Sequence, residues 1–117
     1  MAAMPRRTRP QPQLAPDLET AVRGFGSRED LAILSFLGSV DSAMAPEICE
    51  ALQMALMTVH RHLSLLESVG LIQVDTPAGA RRGRAVRYAL DRPATAAAVD
   101  KMKTALLDGP GANPSKP

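Results

Sequence analysis

At 117 residues the chain fits one domain; with one cysteine, no apolar leader and no run long enough for a bilayer, it reads as cytoplasmic, without intramolecular disulfides or a membrane partner. Its 45% hydrophobic content includes no Trp, one Tyr and two Phe, which excludes modules that stack bases on aromatic platforms and predicts an aliphatic core. Formal net charge is only +2, but Asp17 to Ala80 carries nine carboxylates against three arginines, whereas Arg81 to Arg92 carries five arginines against one.

Met1 to Pro16 sets Arg6, Arg7 and Arg9 among prolines and polar residues, a composition that cannot bury enough apolar area to hold one conformation. The segment 1–16 is therefore read as a disordered basic arm, either a solvated tail or one that enters a DNA minor groove. Leu18, Ala21, Val22 and Phe25 then recur at helical spacing, up to Gly24 and Gly26. Ser27 caps a second helix with Asp30 three residues on, and Leu31, Ile33, Leu34, Phe36, Leu37 and Val40 leave it little polar face. Asp41 to Ala45 is a short connection. Pro46 opens a third helix with Ile48, Cys49 and Leu52 inward and Glu47 and Glu50 outward.

A turn at Gln53 to Met57 leads into a fourth helix, where Val59, Leu63 and Leu66 fall on one side. Thr58, His60, Arg61 and Ser64 share the other. Gly70 stands where a left-handed C′ residue is expected, with Leu71 folding back on the last turn. The period then changes to two: Leu71, Ile72 and Val74 in one strand, Val86, Tyr88 and Leu90 in another. Between them, Asp75 to Arg84 is rich in Gly, Pro and Arg, a candidate wing carrying Arg81, Arg82 and Arg84, with Arg87 facing outward on the returning strand. Asp91 caps a last helix with Ala94, Ala98, Val99, Met102, Ala105 and Leu106 as its apolar stripe, and 109–117 is a polar tail.

Thr58-Val59, His62-Leu63, Leu66-Glu67, Gly70-Leu71-Ile72, Arg82-Gly83-Arg84, Val86 and Tyr88 resemble the recognition helix and wing of the ArsR-type winged-helix repressors, and share part of this wording with MarR-type regulators. The resemblance covers roughly Arg28 to Leu90. It implies a mainly α fold with a small β-hairpin: a winged helix-turn-helix over 17–108, about five helices plus a two-stranded wing. It also implies that Arg82 and Arg84 flank the wing tip, and that the first and last helices pair into a homodimer through Leu18, Val22, Phe25, Val99, Met102 and Leu106. Packing of those helices on their own chain is the alternative.

The chain departs from the family at the turn. Relatives place Gly where Gln53 stands and small hydroxyl residues where Ala55 and Met57 stand, so a left-handed Gln53 and an uncapped helix start each cost about 1 kcal/mol. Base reading falls to Thr58, His60, Arg61 and Ser64, and backbone contact to Arg81, Arg82, Arg84 and Arg87. His60 and His62, two apart on a helix, point in different directions and cannot chelate one ion; no metal or other cofactor is expected, and Cys49 reads as a small buried apolar residue. No nucleophile, acid-base pair or phosphate-cradling loop points to an enzyme. The sequence supports a homodimeric, double-stranded-DNA-binding transcriptional repressor. A segregation or architectural protein that coats repeated sites, and a protein-interaction module, are the alternatives.

Overall fold

The computed structural model describes residues 13–109. Arg6, Arg7 and Arg9 of the N-terminal arm, and the tail after Gly109, lie outside them. Helix α1 (Pro16–Phe25) starts on its proline, and α2 (Arg28–Gly38) starts at Ser27, whose Oγ accepts the Asp30 N–H at 3.0 Å. Ile33, Leu34 and Leu37 bury one side of α2 in the core. Strand β1 (Ala43–Met44) leads directly into α3 (Ala45–Leu52), where the Met44 N–H donates to Glu47 Oε1 at 2.7 Å, satisfying a donor at the helix start.

Helix α3 ends as the turn chemistry demands. Gln53 takes the left-handed conformation, φ 58° and ψ 47°, alone among the described non-glycine residues, and the Met54 N–H reaches back to Cys49 O at 3.1 Å. The Gln53 Nε2 donates to Glu50 O at 3.0 Å, so the side chain itself takes up one of the orphan carbonyls. Helix α4 (Leu56–Ser68) then starts at Ala55 with no side-chain cap and buries Val59, Leu63 and Leu66. Its end is a Schellman motif: Gly70 has φ 84°, its N–H donates to Glu67 O, and the Leu71 N–H donates to Leu66 O, both at 3.0 Å. This closure turns the chain at once into β2 (Ile72–Val74), with Leu71 fully inside the core.

The sheet differs from the two strands expected. It has three, in the order β1-β3-β2, all antiparallel, with β3 (Arg87–Leu90) in the middle. Tyr88 lies opposite Val74 on one side and Ala43 on the other, and Ile72 lies opposite Leu90. Two residues are too few to show a period, so β1 left no pattern in the sequence; buried Ala43 holds it in place. Val86 lies just before β3, packed against the core, and a 3-10 turn at Ala78–Ala80 occupies part of the wing.

The last helix, α5 (Arg92–Asp108), is capped by Asp91, whose Oδ1 accepts the Ala94 N–H at 3.0 Å. It packs on α1 of the same chain, where Ala21 and Ala98 are both buried. The stripe assigned to a dimer contact is therefore split. Leu18, Phe25 and Met102 turn toward the chain's own core, while Val22, Val99 and Leu106, together with Leu107, stay exposed. Small residues between the two helices let them approach closely and push the larger ones to either side. Gly24 brings α1 against the end of α4 instead, since a Cβ there would collide with the Leu71 side chain.

Three substitutions test these local arguments by chemical denaturation. Gln53→Gly is expected to stabilise the fold by about 0.5–1 kcal/mol through relief of the left-handed strain, and Ala55→Ser by about 1 kcal/mol through a new cap. Gly24→Ala is expected to destabilise it by about 1–3 kcal/mol through overpacking against Leu71. An unchanged denaturation midpoint for Gln53→Gly would mean that the relieved strain is no larger than the contribution of the lost Nε2 bond to Glu50 O.

Candidate nucleic-acid interface

The apolar stripe of α4 decides what its other side presents. With Val59, Leu63 and Leu66 at 1% exposure or less, His60, Arg61 and Ser64 are turned outward, preceded by exposed Leu56 and Met57, while Thr58 is half-buried. His62 lies three residues after Val59 and four before Leu66, and so faces inward. Its Nδ1 lies 2.7 Å from Asp30 Oδ1, and Asp30, only 2% exposed, also accepts from Ser27 Oγ at 2.8 Å. A buried carboxylate on α2 thus holds α4. Sequence reasoning missed this pair, although His62's place at the edge of the apolar stripe was its signal. His60 and His62 diverge, as their spacing requires.

The wing arginines divide into two sets. Arg81 forks onto the Glu67 carboxylate, at 3.0 and 2.7 Å, and its Nε donates to Thr76 O at 2.8 Å, joining the wing base to the last turn of α4. Arg87 donates to Ser42 Oγ at 2.7 Å and Ser42 O at 3.2 Å, and lies 3.9 Å from Glu47. Of the four wing arginines expected to meet a polyanion, Arg81 and Arg87 have partners inside the chain. Acids near in sequence were too few to pair with them, but Glu67 and Glu47 reach them through the fold. Arg82 and Arg84 are exposed, flank Gly83 at φ 72°, and their side chains make no ion pair or hydrogen bond among the described residues.

Across the base of the wing, Asp75 Oδ1 accepts the Arg87 N–H at 2.9 Å while the Asp75 N–H donates to Arg87 O at 3.1 Å. The Arg87 N–H, helped by the Thr76 hydroxyl at 3.0 Å, holds the Asp75 carboxyl below the usual carboxylate range. Between the outward side of α4, the start of α3 and the wing lies a cleft of about 470 Å³. His60 and Ser64 line it from α4, Arg84 and Val86 from the wing, and Tyr88 from its floor. Burial pushes the Tyr88 phenol up, so it keeps its proton. The outward side of α4 and the wing therefore border one concavity.

Two helices in a helix-turn-helix, a following antiparallel sheet and an arginine-tipped loop beside the second helix make a winged helix-turn-helix domain. No protein-family model matches the chain, and no curated protein matches it. Solved structures do. An ArsR-like transcriptional regulator from Rhodococcus sp. RHA1 aligns with a TM-score of 0.63 and 17% identity, over 79% of this chain and 81% of that one. The homodimeric winged helix-turn-helix DNA-binding domain of a possible ArsR-family regulator from Mycobacterium bovis aligns at 0.56 and 22%, over 79% and 82%. A MarR family transcription regulator aligns at 0.52 and 27%, over 79% of this chain and 62% of that one. The chain thus has the winged-helix fold that ArsR- and MarR-family transcriptional regulators have.

The wing base gives two predictions. Arg81→Ala should speed amide exchange across 75–87 with little change in global stability, since water screens a partly exposed ion pair; unchanged exchange there would show that the Glu67 fork does not hold the wing. The Asp75 carboxyl, followed by NMR, should titrate below its ordinary value of 3.8. Because its folded value is depressed, its contribution to stability is present above the unfolded value and is lost as pH falls through the folded one. A midpoint at or above 3.8 would mean that the clip is open in solution.

Proposed function

We propose that this chain is a homodimeric, sequence-specific DNA-binding regulator of transcription, most simply a repressor that occupies its operator and blocks access to it. The observation that carries this reading is the common cleft: polar residues of α4 and an unpaired arginine of the wing border one concavity, so a duplex can meet both at once. Helix α4 enters the major groove with His60, Arg61 and Ser64 toward the base edges, and Thr58 beside them. Arg82 and Arg84 at the wing tip take backbone phosphate or the adjoining minor groove. Arg81 and Arg87 hold the wing in place for them. The regulators that share the fold support the transcriptional role.

Two copies join through the outer faces of α1 and α5, where Val22, Val99, Leu106 and Leu107 leave large apolar side chains in water. A two-fold dimer then presents two α4 helices to major grooves about one helical turn apart, and the operator is a palindrome.

Gel retardation across a salt series tests the DNA contact. Removing Arg82 and Arg84 together should weaken operator and random duplex alike, and flatten the salt dependence by about two ions per protomer. Arg61→Ala should instead cost operator binding about 1–3 kcal/mol, and random binding much less. An undiminished affinity in the double variant would remove the wing from the mechanism. The dimer is tested by sedimentation: Val99→Glu with Leu106→Glu should give monomers, and a dimer that persists would place the contact elsewhere.

A further inference from the structure

The first turn of α4 carries a feature that polar base reading leaves unused. Met57 is 84% exposed and Leu56 47%, although both are large apolar side chains, and nothing in the described chain covers them. They are not scattered. On a helix, residues four apart stack in one row, so Leu56 precedes His60 and Ser64, and Met57 precedes Arg61. Leu56 also lines the cleft that His60, Ser64 and Arg84 share. The apolar pair therefore forms the leading end of the flank assigned above to the major groove.

We infer that Leu56 and Met57 read the 5-methyl groups of thymine, so that the half-site of this protein carries thymine where the start of α4 meets the groove. The inference rests on the duplex-binding reading and specifies its sequence class. Among the four base-pair edges in the major groove, only thymine offers an apolar group, its methyl; the others offer donors and acceptors. Covering such polar groups with Leu or Met would strip them of water without a replacement hydrogen bond, which disfavours guanine, cytosine and adenine edges at those positions. Burying a methyl against Leu56 or the adaptable thioether of Met57 is favourable instead. The same helix start has Ala55 as its N-cap and no hydrogen-bonding side chain until Thr58, so polar readout begins only after Leu56 and Met57.

Duplexes selected from random sequence by the full chain at one fixed salt concentration provide the test. Each thymine of the protected half-site is replaced in turn by deoxyuridine, which removes the methyl and leaves every hydrogen-bonding group in place. One or two positions per half-site should lose about three- to tenfold in affinity. In Met57→Ala or Leu56→Ala, the same replacement at the contacted position should cost less than about twofold, because the partner of the methyl is gone. Tolerance of deoxyuridine at every position, or penalties undiminished in both variants, would overturn the inference while leaving duplex binding standing. Failure to retain any duplex at low salt would overturn the DNA-binding reading, and this one with it.

Discussion

The contact between His62 and Asp30 ties α4 to α2 through a side chain at the edge of the buried stripe. Asp30 is almost wholly buried, and a carboxylate so placed is costly unless it is hydrogen-bonded; His62 Nδ1 at 2.7 Å and Ser27 Oγ at 2.8 Å supply its partners. Apolar packing of Val59, Leu63 and Leu66 would hold α4 against the core, but a smooth aliphatic stripe tolerates some rotation and sliding. A directional bond from the edge of that stripe does not. It fixes α4 about its own axis, and with it the direction of every side chain on the opposite flank.

The wing is placed by a chain of short constraints that begins where α4 ends. The closure at Gly70 leaves no loop between helix and sheet, so Leu71 enters the core and β2 starts one residue later. Glu67, in the last turn of the helix, then grips Arg81 across the wing base, while Asp75 and Arg87 clip the two sides of the loop together. These exposed or half-exposed contacts add little to global stability. Their effect is positional: with the base held from two sides, only the tip around Gly83 is left with uncommitted charge. The basic hairpin thus divides into arginines that build the wing and arginines that remain for a ligand.

Much of this was legible in the sequence because it rests on local rules. The helix period, the Ser27 and Asp91 caps, the Gly70 closure and the strained Gln53 each follow from a few neighbouring residues, and each stands in the structure. What could not be read depends on partners far apart in the chain. Arg81 and Glu67 are 14 residues apart, His62 and Asp30 are 32, and Arg87 and Ser42 are 45. A charge count cannot tell a committed arginine from a free one. Strand β1 was hidden for a different reason, being shorter than any period that would announce it. The apolar stripe of the terminal helices was visible, but not its division between the core and the surface.

That division bears on how the two ends of the fold can work independently. Ala21, Ala98 and Gly24 draw α1 onto α5 and onto Leu71, which gives α5 a packed inner face without any second copy. The outer apolar residues Val22, Val99, Leu106 and Leu107 then lie outside the core of the described chain. Helix α4 spends its apolar residues differently, burying three and exposing two at its leading end. Exposed leucines and methionines are common singly, as Leu31 on α2 is, but the start of α4 and the outside of the terminal helices each carry more than one. Neither set contributes to the core formed by the described residues.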